Sequence, residues 1–151
     1  MKYAFFFLFI FTKIVFCSDA NVLYVNSKKN ISVKVLLKGN DSLVVSVLDA
    51  GKQVNIENVD VSSGKKNHIT FEDYNRDGYK DFSIWHLDEG MGTYKIYRLF
   101  IFSPPDKNFK EIKPTCGDDF VNLRIEGHDL INMIYDDNIP KPCSIPLKSL
   151  K

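Results

Sequence analysis

Apolar side chains recur at every second residue through most of this chain, and that period is what the fold must satisfy. Ile31, Val33, Val35 and Leu37 form one run, and Leu43, Val45 and Val47 form the next. Successive strand residues point to opposite faces of a sheet, so a period of two creates one apolar face, whereas an amphipathic helix needs a period of about 3.6. No long stretch carries the helical period. Between the first two runs, Lys38-Gly39-Asn40-Asp41 supplies the residue types that reach positive φ in a hairpin turn. Asn55 to Val61, His68 to Phe71, Phe82 to Leu87, Phe109 to Ile112, Phe120 to Ile125 and Leu130 to Tyr135 read as further strands. Tyr94 to Phe102 is the longest. Its Tyr94, Ile96, Phe100 and Phe102 lie on one side and Tyr97, Leu99 and Ile101 on the other, as suits a central strand covered on both faces. Ser103-Pro104-Pro105 ends it, because proline donates no ladder hydrogen bond. The expectation is an all-β single domain of eight to ten short antiparallel strands, either a sandwich or a closed barrel-like or propeller-like meander.

The first 20 residues follow a different logic. Lys2 precedes the apolar run Phe5 to Phe11, and the small residues Ser18 and Ala20 follow, which is the order of a secretory signal peptide. Thr12 and Lys13 interrupt the run before it reaches the roughly 18 apolar residues of a membrane span. Cleavage is expected after Cys17 or after Ala20, with a lipid-attached Cys17 as a third option, leaving residues 21–151 as the domain, periplasmic or secreted, with no stable membrane insertion afterwards. The formal charge is +1, and loss of Lys2, Lys13 and Asp19 with residues 1–20 leaves 18 basic against 18 acidic residues. Without a basic stripe to displace counterions, no nucleic-acid partner is expected. In an oxidising compartment Cys116 and Cys143 are expected to pair as a disulfide.

One segment carries chemistry. In Asp73-Tyr74-Asn75-Arg76-Asp77-Gly78-Tyr79-Lys80-Asp81, side-chain oxygens stand at loop positions one, three, five and nine. A hard cation such as calcium takes about six to eight oxygens, and a tightly coiled loop can aim Asp73, Asn75 and Asp77 at one centre while Gly78 makes the sharp turn. The Tyr79 carbonyl offers another oxygen. Ile84 occupies position twelve, where a helix-loop-helix site would carry a bidentate Glu, so Asp81 is expected to ligate in its place. The plain alternative is an acidic turn using Asp and Asn for local hydrogen bonds.

The run Phe71-Glu72-Asp73 through Asp81-Phe82, followed by Gly90, Gly92, Tyr94, Tyr97 and Phe100-Ile101-Phe102, resembles a periplasmic family with the pattern F-x-D-x-N-x-D-G-Y-x-D. Locally it is similar to FG-GAP calcium repeats. The resemblance covers about residues 66–113. It implies a fold related to periplasmic lysozyme inhibitors and a role as an immunity protein against lysozyme-like peptidoglycan hydrolases. A partner-binding loop is then expected at Asp88, Glu89, Gly90, Met91 and Gly92, with Tyr94 at its edge, because two glycines permit close approach and Met91 is hard to bury in so tight a connection. An ordinary hairpin connection is the alternative. Catalysis is not expected: the three histidines, His68, His86 and His128, are scattered and no nucleophile or metalloprotease motif is present. A cell-wall or carbohydrate-binding module, using exposed aromatic rings, is the second function class.

Overall fold

The computed structural model describes residues 21–26, 29–39, 41–61, 63–88, 90 and 93–150. The expected signal peptide over 1–20 and the loop residues Glu89, Met91 and Gly92 lie outside them. The described chain is all β. Twelve strands run in order: β1 (Asn21–Asn26), β2 (Ile31–Lys38), β3 (Ser42–Asp49), β4 (Lys52–Asp60), β5 (His68–Glu72), β6 (Asp81–Asp88), β7 (Tyr94–Ser103), β8 (Asn108–Ile112), β9 (Phe120–Val121), β10 (Arg124–Glu126), β11 (Asp129–Asp136) and β12 (Ile139–Pro146). One 3-10 turn, Leu147–Ser149, follows.

The strands form three antiparallel sheets, β1-β2-β3-β4, β5-β6-β7-β8 with β9 also on β7, and β10-β11-β12. Among the described residues none closes into a barrel. The count exceeds eight to ten for three reasons. β1 precedes the first alternating run, the segment Phe120 to Ile125 divides into β9 and β10, and β12 contains Pro140, Pro142 and Pro146. Prolines are tolerated there because β12 is an edge strand, paired only with β11.

Turn chemistry sets the first sheet. Gly39, at φ 64°, links β2 to β3, and Ala50 and Gly51, at φ 48° and 78°, form the two-residue turn that pairs Asp49 with Lys52. Val33, Val35, Leu43, Val45 and Val47 all fall on the inner face, as the alternation requires. They pack with Phe82, Ile84, Phe100, Phe102 and Phe109 of the second sheet in one core. The opposite face of β7 supplies Leu99 and Ile101 to a second core with Phe120, Leu130, Ile145, Leu147 and Leu150. The middle sheet is thus apolar on both sides and the molecule is layered three deep. Phe82 and Phe102 are fully buried, and each such ring stabilises by roughly 1.5–3 kcal/mol.

The third layer is tied down covalently and by a polar hub. Cys116, in the connection before β9, and Cys143, on β12, are disulfide-bonded with Cα atoms 6.6 Å apart. Beside them the buried Asn132 side chain donates to the carbonyls of Cys116 and Asp119, at 3.0 and 3.1 Å, and accepts the Val121 N–H at 2.6 Å.

Candidate functional site

The acidic loop joins β5 to β6 and is coiled by its own side chains. Asp73 accepts the N–H groups of Asp77 and Gly78, one on each carboxylate oxygen, at 3.0 and 2.9 Å. Asn75 Oδ1 accepts the same Asp77 N–H at 3.1 Å, and Asp77 Oδ1 accepts the Tyr79 N–H at 2.9 Å. Two residues adopt left-handed backbone, Arg76 at φ 59° and Gly78 at φ 87°, and they give the chain its reversal. Asp73, Asn75 and Asp77 therefore hang on one tight coil, each oriented by a backbone donor while keeping lone pairs unused. That donor chemistry, two carboxylates and an amide on a coiled loop, fits a hard cation.

Asp81 stands apart. It is wholly buried, with Oδ2 accepting the Tyr74 N–H at 2.8 Å and Oδ1 accepting the Phe102 N–H at 2.9 Å. It pins the start of the loop to β7 from below. Burial pushes its carboxyl up to about 7, against the lowering effect of the two N–H bonds, and the neighbouring Asp77 and Asp73 carboxylates add to the rise. Tyr74 is pushed up to about 12, chiefly by burial, and its hydroxyl shares a 2.8 Å hydrogen bond with Ser83. Among the described residues no three His, Cys, Asp or Glu side chains converge as a metal-holding group.

Supports reach the loop from distant sequence. Asn26 Nδ2 donates to the Gly78 carbonyl at 3.0 Å, the Lys80 N–H donates to the Val25 carbonyl at 2.9 Å, and Asn75 Nδ2 donates to the Leu150 carbonyl at 3.2 Å. Lys29 Nζ lies 5.0 Å from the centre of the buried Tyr79 ring. None of these had a signal in the sequence, because each partner lies far along the chain or in an element read as something else.

The expected partner-binding segment divides. Asp88 ends β6, where its Oδ1 pairs with Lys65 Nζ at 2.5 Å, so this carboxylate is already engaged within the molecule. The Lys65 partnership holds its pKa below the usual carboxylate range. Tyr94 begins β7 opposite Asp88 in the ladder and packs its ring 4.7 Å from that of Tyr135. Gly90 lies between them.

The aromatic surface is also defined. Trp85 stacks on His68 at 4.3 Å and lies under Lys95 Nζ at 4.6 Å, while its Nε1 donates to Thr70 Oγ1. Comparison of the chain with protein-family models, with curated proteins and with solved structures finds no match.

Proposed function

We propose that this is an exported calcium-binding β protein that acts by binding a protein partner, a peptidoglycan hydrolase of the lysozyme-like class, as an inhibitor or immunity factor. Asp73, Asn75 and Asp77 hold the cation with the Tyr79 carbonyl, and Asp81 anchors the loop from beneath. The observation that carries the reading is the coiled loop of Asp73 to Asp77, whose oxygens are oriented by the backbone donors of Asp77, Gly78 and Tyr79. Bound calcium would neutralise the carboxylates and stiffen the joint; the chain's own residues supply its oxygens. Export agrees with the disulfide between Cys116 and Cys143, since such bonds persist in oxidising compartments. The hydrolase reading rests on the resemblance over residues 66–113.

A ligand that binds only the folded state raises stability by RT ln(1 + [L]/Kd), about 2.7 kcal/mol at a hundredfold excess over Kd. Calcium added to chelator-treated protein should raise the melting temperature, and Asp77→Ala should remove the response. Unchanged melting in metal-free protein overturns the calcium site. Independently, immobilised protein exposed to a periplasmic extract should retain a peptidoglycan-cleaving activity and inhibit it; purified hydrolases that stay fully active in its presence overturn the partner.

A further inference from the structure

Where the first sheet ends, the middle sheet continues without it. On the face of β6 and β7 that carries the core pair Phe82–Phe100, the next cross-strand pairs are Ile84–Arg98 and His86–Ile96. Above them passes the connection from β4 to β5, and beside them lies Asp119, which precedes β9 on the edge of β7. Together they enclose a cleft of about 350 Å³.

The floor is apolar: Val61 and Ile84 are buried and Ile96 is half-buried. The walls are built. Asn67, itself buried, donates to the Val61 carbonyl at 2.8 Å, Ser63 Oγ accepts the Lys65 N–H at 3.3 Å, and Lys65 is tied to Asp88. Arg98 forms a two-pronged ion pair with Glu111, at 2.8 and 3.0 Å, and reaches the Asp60 carbonyl. Both cations of the cleft are thus matched by carboxylates. Among the described residues neither the exposed Asp119 carboxylate nor the half-buried His86 imidazole makes a hydrogen bond or ion pair, although both line the cleft and the Asp119 charge acts on the His86 ring. Burial, and then the Lys65 charge, lower the His86 pKa, so near neutral pH the ring is uncharged and offers a nitrogen lone pair.

An unmatched carboxylate and a neutral imidazole above an aliphatic floor call for a donor with a positive charge and an apolar stem. Pockets that bind small groups combine this kind of apolar lining with a few convergent polar atoms. The geometry points to this cleft as a binding site for an alkylammonium or alkylguanidinium group, its head against Asp119 and His86 and its stem along Val61, Ile84 and Ile96. The site is separate from the acidic loop and does not rest on calcium binding or on the hydrolase reading. Its ligand is either a free amine or the Lys or Arg side chain of a docked protein.

Titration of isotope-labelled protein, followed by NMR, tests it. The probes are N-acetyl-lysine amide, N-acetyl-arginine amide, n-butylamine, the neutral N-acetyl-norleucine amide and the anionic N-acetyl-glutamate amide. The cationic probes should shift the amides of Ile84, His86, Ile96 and Asp119 and bind at least tenfold more tightly than the norleucine derivative. A preference for the capped residues over n-butylamine assigns a protein side chain as the ligand; equal binding assigns free amines. Asp119→Asn should weaken binding at least tenfold, and Ile96→Trp, which fills the cleft and leaves Asp119 in place, should abolish it. Absence of cleft shifts, preference for the glutamate derivative, or undiminished binding in either folded variant overturns the assignment.

Discussion

Replacing Asn132 by Leu tests how the third layer is attached. The side chain is fully buried, and Leu has the same number and branching of heavy atoms but bulkier methyl ends, so the change removes hydrogen bonds without opening a cavity. Three bonds are lost, those to the Cys116 and Asp119 carbonyls and that from the Val121 N–H. At about 1 kcal/mol each they contribute roughly 3 kcal/mol, and an orphaned Val121 N–H adds about 1–2 kcal/mol. The carbonyls sit in a segment with exposed residues and can turn to water, while the added apolar burial returns about 1 kcal/mol. The net expected loss is about 3–4 kcal/mol, or a drop of roughly 10 °C in a domain of this size. Urea unfolding followed by circular dichroism and by the fluorescence of Trp85, the single tryptophan, measures it. A loss below about 1 kcal/mol would refute the argument. The Asn132 and Cys116 substitutions should also couple, since both secure one segment.

Reduction of the Cys116–Cys143 bond, with a sequence separation of 27, should cost about 3.5 kcal/mol on the chain-entropy estimate, and non-reducing peptide mapping should recover the linked pair. Gly78→Ala places a side chain at φ +87° in open space, so it should cost about 1–2 kcal/mol from backbone alone, read by thermal melting. Gly117→Ala should cost more, because its Cβ would also lie 2.9 Å from Ile134 Cγ2; an equal loss at the two sites would contradict the contact. Phe82→Ala removes a ring stacked on Phe100 at 4.6 Å and should cost about 3–5 kcal/mol by chemical denaturation.

The sequence revealed those parts of the fold that alternation governs. In β2, β3 and β7 the apolar parity agrees with the buried faces, and the two-sided burial of β7 follows from Tyr94 to Phe102 being apolar at nearly every position. Where position in the sheet overrides composition, it did not. Pro140 and Pro142 make β12 read as a loop, yet an edge strand leaves half of its N–H groups without ladder partners, and proline fits there. Asp137 and Asn138 form the hairpin link between β11 and β12, at φ 50° and 63°. The loop from Asp73 to Asp77 was legible because its hydrogen bonds are local. The burial of Asp81 was not, since its second partner, Phe102, lies on another strand.

That division of labour bears on what the loop does. Its upper part is self-contained, whereas its supports come from β1 through Val25 and Asn26, from β7 through Phe102 and from the chain's last turn through Leu150. The segments at both ends of the described chain, and so both outer layers, meet at this one connection. A cation held there, on the proposed reading, would see its site fully formed only when β1 and the last turn are docked. Its binding energy would then add to the stability of the whole domain rather than to that of a surface turn. The same geometry gives the Asp81 carboxylate a structural role despite burial that opposes its ionisation. A hydrophobic residue of equal size would leave the Tyr74 and Phe102 N–H groups unsatisfied and unhook the loop from the central strand.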